Sequence, residues 1–215
     1  MSSELFNPWE PLTTAASSRP GSAPYEINNV VCTCKVNNYY PLTSKPRTRD
    51  QSRFKPDDTR KFSDPQITGT FLIFKSGRVV IVGLKGTEHL PIFLAHLQRY
   101  LSQNCGYYVF LSDISIQNIV VDSRILTEDG ERVSVDLAKL QELESDKVTF
   151  VPEQFPGARV TLMTGESNDI KYSINLFQSG NYVLPGIKDM AGVLVANDLF
   201  LDFIMPLRSQ ILKQS

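Results

Sequence analysis

Cys32, Cys34, Cys105, His89 and His96 are the side chains in this 215-residue chain best suited to metal binding or nucleophilic chemistry. Their numbers and spacing point away from both. Three cysteines without a CxxC pair argue against a disulfide framework and against a zinc site. In Cys32-Thr33-Cys34 the two sulfurs share one face of a strand, because strand side chains repeat with period two. His89 and His96 are seven apart and can share a helix face, but no third ligand of matching spacing accompanies them, so they read as helix-surface histidines. No nucleophile-base pair, phosphate-binding glycine loop or metal cluster is present; Gly77-Arg78 and Gly83-Leu84-Lys85 are hairpin punctuation rather than a P-loop. The sequence therefore predicts a binding protein that needs no cofactor and no metal, not an enzyme.

Charge indicates what kind of partner to expect. The formal net charge of −1 conceals thirteen Lys/Arg against eight Asp/Glu in residues 1–112 and nine against fifteen in residues 113–215. A basic first half is the half a polyanion would prefer. No apolar run is expected to approach the roughly 18 residues that a membrane span needs, so no membrane partner is expected. Residues 1–20 are rich in Ser, Thr and Pro and lack the basic and apolar regions of a signal peptide. With 41% hydrophobic residues the chain can bury one or two ordinary cores, and it reads as a soluble intracellular protein with a disordered tail over 1–25.

An internal repeat supplies the elements that position any binding residues. Ile27-Asn28-Asn29-Val30-Val31 recurs as Ile116-Gln117-Asn118-Ile119-Val120, 89 residues later. Phe74-Lys75-Ser76-Gly77 recurs as Phe177-Gln178-Ser179-Gly180 at an offset of 103, so the second copy has gained 14 residues between its landmarks. Ser-Gly between two apolar runs signals a hairpin, since glycine supplies the positive φ that tight turns need. A helix follows each hairpin. Leu90, Leu94, Leu97 and Leu101 keep helical spacing with Thr87 as N-cap, and Val193, Phe200, Ile204, Leu207 and Ile211 do so in the second copy, bent at Pro206. Val135, Leu137, Leu140 and Leu143 predict a further helix early in the second repeat. The resulting α+β fold has two pseudo-symmetric repeats, 26–112 and 113–215, forming a curved antiparallel sheet with its helices on one face. The other face is left open and partly apolar, as binding surfaces are.

The paired asparagine strands, the two Phe-x-Ser-Gly hairpins and Pro152-Glu153-Gln154-Phe155-Pro156-Gly157, taken in this order, resemble the TATA-box-binding protein family over residues 26–212. That family folds as a saddle with helices on its convex face. The resemblance implies a transcription initiation factor that lies in the minor groove of A/T-rich double-stranded DNA, kinks it by driving four phenylalanines between base steps, and recruits a transcription factor IIB-like protein and other initiation factors. Phe74 and Phe177 match the hairpin phenylalanines and Phe155 the stirrup phenylalanine of repeat two. For repeat one Phe54 is the better match and Phe62 its rival; core packing is the alternative reading for all of them.

By the same resemblance Asn29 and Asn118 sit at the centre of the underside, with Val31 and Val120 two residues on against the groove floor. Arg78, Lys85 and Lys188 match phosphate-contacting positions, and Glu153 matches the acidic stirrup residue that holds transcription factor IIB. Departures from the family pattern are Val82 and Pro185 for threonine, Asn181 for a basic residue, and Val151 and Gln154 in the stirrup. They leave a second reading open, a saddle paralogue with weak DNA binding that serves as a protein-interaction platform. Either role places the protein in the nucleus, or at the site of transcription in an archaeal or viral system.

Overall fold

Period-two burial in the strands and period-3.6 burial in the helices resolve into two units. The computed structural model describes residues 21–37, 59–63, 68–74, 76–165 and 170–214. Among these, one unit comprises residues 28–117 and the other residues 21–27 with 118–214. The two units have like folds.

The first unit is built from β1 (Glu26–Asn37), β2 (Thr59–Ser63), β3 (Thr68–Ile73), β4 (Arg78–Leu84) and α1 (His89–Cys105), with the start of β5 (Phe110–Arg124). Its strands run antiparallel in the order β2-β3-β4-β1. The predicted hairpin joins β3 to β4, and Gly77 takes φ 80° in its turn. Cys32, Cys34, Phe71, Ile73, Val79 and Ile81 are buried on one sheet face, where α1 lays Leu90, Phe93, Leu94, Leu97 and Leu101. Contact is close: a Cβ at Gly69 would lie 2.6 Å from the Phe93 ring. Each fully buried leucine contributes about 1.5–3 kcal/mol through area removed from water. Thr87 does not cap this helix with its side chain. Glu88 is the N-cap residue and makes no side-chain cap bond, while the Thr87 carbonyl accepts from Leu90 N–H at 3.1 Å. Burial pushes the Cys32 thiol up to about 11 and the Cys34 thiol up to about 12, so both stay protonated core residues at neutral pH.

The second unit continues β5 and adds β6 (Val133–Val135), α2 (Leu137–Leu143), β7 (Val148–Thr149), β8 (Gly157–Thr164), β9 (Ile170–Phe177), β10 (Asn181–Ile187), α3 (Met190–Ile204), a 3₁₀ turn (Met205–Leu207), α4 (Arg208–Ile211) and β11 (Leu212–Gln214). Its main sheet has the order β5-β10-β9-β8-β7, again antiparallel, with Gly180 at φ 76° in the repeated hairpin. Tyr182 and Phe200 pack with ring centroids 4.5 Å apart, joining α3 to the buried sheet face, and the Tyr182 hydroxyl donates to Asn197 at 2.7 Å.

Several elements differ from expectation here. Val135 lies in β6, not in the helix, which starts only after Asp136 caps it by accepting from Lys139 N–H at 3.0 Å. β6 pairs with β11, a long-range partnership that local periodicity cannot announce. Pro206 ends α3 and forces the 3₁₀ turn instead of bending one continuous helix, since proline lacks the N–H a helix interior requires. Contrary to the expectation that no apolar run nears membrane-spanning length, Met190–Ile211 is 22 residues long and apolar enough to cross a membrane by length and composition. Its break at Pro206 and the packing of Val193, Ala196, Phe200 and Ile204 into the core read instead as a core helix.

Candidate nucleic-acid interface

In each unit the strand residues that alternate away from the helices form a half-buried face. In the first unit these are Asn29, Val31 and Thr33 from β1, Val80 and Val82 from β4, and Thr70 and Leu72 from β3, with Phe74 in the adjoining turn. Thr33, Val80 and Leu72 form one cross-strand row and Val82 with Thr70 another. In the second unit Asn118, Val120, Asp122 and Arg124 come from β5, Asn181, Val183 and Pro185 from β10, and Asn175 and Phe177 from β9. Residues committed to opposite strands are thus brought onto one open surface within each unit.

The asparagines occupy the same structural position in both units. Asn29 Oδ1 accepts the Gly83 backbone N–H at 2.7 Å, and Asn118 Oδ1 accepts the Gly186 N–H at 2.7 Å. Because the backbone group can only donate, the bond fixes which amide atom is oxygen and leaves Nδ2, with its two donors, for another partner. Gly83 and Gly186 adopt φ 87° and 83°, and the pairing register shifts beside each, in β1–β4 and β5–β10 respectively. The bulge turns the glycine N–H toward the asparagine, and positive φ is strained for any residue with a Cβ. Both glycines hold the asparagines in place, although Gly83 reads from the sequence as hairpin punctuation; their recurrence two residues before Lys85 and Lys188 is the signal the sequence offers.

Phe155 and Phe177 come together at one end of the second unit's face, with ring centroids 5.6 Å apart at an interplanar angle of 58°. Both are half-buried. The stirrup 151–156 is a tight turn in which Gln154 N–H and Phe155 N–H both donate to the Val151 carbonyl. Gly157 lets the rings approach: a Cβ there would lie 2.8 Å from Phe155 Cε1 and 3.1 Å from Phe177 Cδ1. Glu153 stands exposed on this turn. In the first unit Phe74 is half-buried, and its N–H donates to the Arg78 carbonyl at 2.8 Å. Phe54 lies outside the described residues. Phe62 pairs with Gly69, five positions along β3 from Phe74 or about 17 Å at 3.4 Å per residue.

The cations divide into engaged and available. Lys85 Nζ donates to both the carbonyl and the side-chain oxygen of Asn28, each at 2.8 Å, so it ties β1 to the end of β4. Arg78 and Lys188 are exposed. Arg124 donates through Nε to Asn181 Oδ1, which offers a cation beside the position where the expected basic residue is missing. Arg159, exposed on β8 in the row Asp122, Val183, Asn175, Arg159, adds a second basic group that sequence reading did not single out. Among the described residues no group of three or more His, Cys, Asp or Glu could hold a metal ion.

The chain is similar to known proteins over most of its length. The family model described as transcription factor TFIID (or TATA-binding protein, TBP) matches residues 24–104 and again 113–207. A TATA-box-binding protein of Methanococcus aeolicus is 26% identical over 179 residues, covering 81% of this chain and 91% of that protein. One from Sulfolobus acidocaldarius is 28% identical over 177 residues, covering 79% and 83%. Among solved structures, the Methanococcus jannaschii TBP superposes with a TM-score of 0.64 at 24% identity, covering 86% of this chain and 99% of that one, which is a likeness of fold.

Proposed function

The chain belongs to the TATA-binding protein family, whose members are transcription factors and not enzymes, and we propose that this general transcription initiation factor grips the minor groove of A/T-rich promoter DNA. The observation that supports this best is the duplicated asparagine clasp. With Oδ1 engaged by Gly83 or Gly186, Asn29 and Asn118 each keep both Nδ2 donors for a partner. The floor of an A·T minor groove offers only acceptors, adenine N3 and thymine O2, and hardly distinguishes A·T from T·A. Val31 and Val120 supply apolar contact beside them. Phe155 with Phe177 in the second unit and Phe74 in the first wedge open base steps and bend the duplex, with Phe54 the further candidate from the sequence. Arg78, Lys188, Arg124 and Arg159 meet phosphates, and Lys85 acts mainly by bracing the Asn28-Asn29 strand.

A gel-shift titration on A/T-rich and G/C-rich duplexes at two salt concentrations tests the reading. Binding should be at least about tenfold tighter to the A/T duplex, and should weaken steeply with salt on both. Equal affinity for the two sequences would refute it. The departures at Val82 and Pro185 and the acidic second half favour one other reading, a platform that binds DNA weakly and works through protein contacts. Binding to DNA only after a purified initiation factor is added would favour that role.

The stirrup is the surface that suits partner recruitment. Glu153 is exposed on a turn fixed by Pro152, Pro156 and Gly157, and its carboxylate suits a basic residue of a transcription factor IIB-like protein. Glu153→Arg is expected to leave DNA binding intact or slightly tighter while weakening capture of that factor by about 1 kcal/mol or more. A pull-down equal to wild type at every salt concentration would leave the stirrup without this role. The protein acts at the site of transcription, which in a nucleated host is the nucleus.

A further inference from the structure

We propose that Asp122 selects a G·C base pair at one off-centre position of the bound site and so orients the protein on an otherwise degenerate A/T sequence. This rests on the minor-groove reading above. β5 alternates: Ile119, Val121, Ser123 and Ile125 are buried toward the helices, and Asn118, Val120 and Asp122 share the open face. Asp122 thus follows, at the same two-residue step, the asparagine and the valine assigned to the groove floor. Opposite it in the pairing register is Val183, which cannot donate. Arg124, the next residue on that face, gives its Nε to Asn181. One carboxylate oxygen of Asp122, Oδ1, is shut off from solvent and has no hydrogen-bond partner among the described residues, while the residue as a whole is half-buried. Buried polar atoms are nearly always satisfied, so this carboxylate is incompletely hydrogen-bonded, and its half-exposed side chain can turn to take a donor from a ligand on the same face.

The minor groove contains one such donor. A·T and T·A pairs present acceptors only, and pressing a carboxylate on them sets acceptor against acceptor. G·C adds the guanine N2 amino group, which a carboxylate can accept from. The matching residue of the first repeat, 89 positions earlier, is Thr33, a neutral hydroxyl that accepts from Gln117 Nε2 at 3.0 Å. The two repeats therefore read their half-sites differently at this position. A pseudo-symmetric protein on a degenerate sequence can bind in two directions; a guanine requirement under one repeat alone separates them.

The test is a competition panel with the full chain, in which each base pair of an all-A/T duplex is replaced in turn by G·C or C·G. Wild type should bind one off-centre member about tenfold tighter than the parent, the worth of a well-placed base contact. Asp122→Thr, which copies the first repeat, should lose that preference and bind the parent at least as tightly as wild type. Asp122→Asn, which both donates and accepts, should flatten the preference without lowering affinity for the parent. Replacing the preferred guanine with inosine, which lacks the N2 amino group, should cancel the gain for wild type. The proposal is overturned if wild type ranks every G·C member below the parent, or if Asp122→Thr keeps the wild-type ranking. Should the parent bind no better than a G/C-only duplex, the minor-groove reading falls and this inference with it; should the parent bind well with no G·C-favouring position, only the role of Asp122 falls.

Discussion

Replacing Phe177 with alanine is expected to lower DNA bending and to weaken binding by about tenfold or more, since loss of aromatic stacking on a base costs roughly 1–3 kcal/mol. Phe177 and Phe155 sit 5.6 Å apart and only half-buried, held together because Gly157 has no side chain to separate them. Unstacking a base step costs a few kcal/mol, which a wedge must offset by replacing base-base contact with base-ring contact. Fluorescence transfer across an end-labelled A/T duplex reads the bend directly. Phe177→Leu, still an apolar wedge, should retain more of the bend than Phe177→Ala. Gly157→Val should also reduce bending, by pushing the rings apart, although it touches no base itself. A duplex that stays straight at saturation with wild type would remove the wedge mechanism, and binding would then be flat and mainly electrostatic.

Asn118→Asp is the second change expected to act strongly. Aspartate keeps an oxygen where Asn118 Oδ1 accepts the Gly186 N–H, so the bulge in β10 and the fold should be preserved. What it loses is both Nδ2 donors, and what it adds is a negative charge against a row of acceptors. DNA affinity should fall at least tenfold, below that of Asn118→Ala, with thermal unfolding close to wild type. Asn118→Ala should separate differently, losing A/T preference and also leaving the Gly186 N–H without its side-chain partner. Asn29→Asp should behave alike through Gly83. An aspartate variant that binds as well as wild type would mean the amide donors do not face the groove.

The legible parts of this molecule are those set by local chemistry. Ser-Gly at positive φ announces both hairpins, and leucine spacing announces α1, whose predicted positions Leu90, Leu94, Leu97 and Leu101 are all buried. Duplication in the sequence pairs Asn29 with Asn118, and the two make equivalent bonds to Gly83 and Gly186. The unread parts depend on residues far apart in the chain. Nothing local to Lys85 announces its two bonds to Asn28, 57 positions away. Val135 has helical spacing with Leu137, but β11 draws it into a strand. Gly83 and Gly186 look like turn residues, and only the register shift beside each asparagine reveals what their N–H groups do. Asp122 continues the alternation of Asn118 and Val120, but nothing local in the sequence shows that its Oδ1 has no partner among the described residues.

The central claim is that base pairs are read from the minor groove by donors on the protein. A duplex in which every A·T pair is replaced by inosine·cytosine tests it most directly. Such a duplex presents the minor-groove acceptors of A·T, without the guanine amino group, while its major groove resembles that of G·C. Competition between the A/T, I/C and G/C duplexes should rank the first two together and the third at least about tenfold weaker. An I/C duplex that binds as poorly as the G/C duplex would contradict the account.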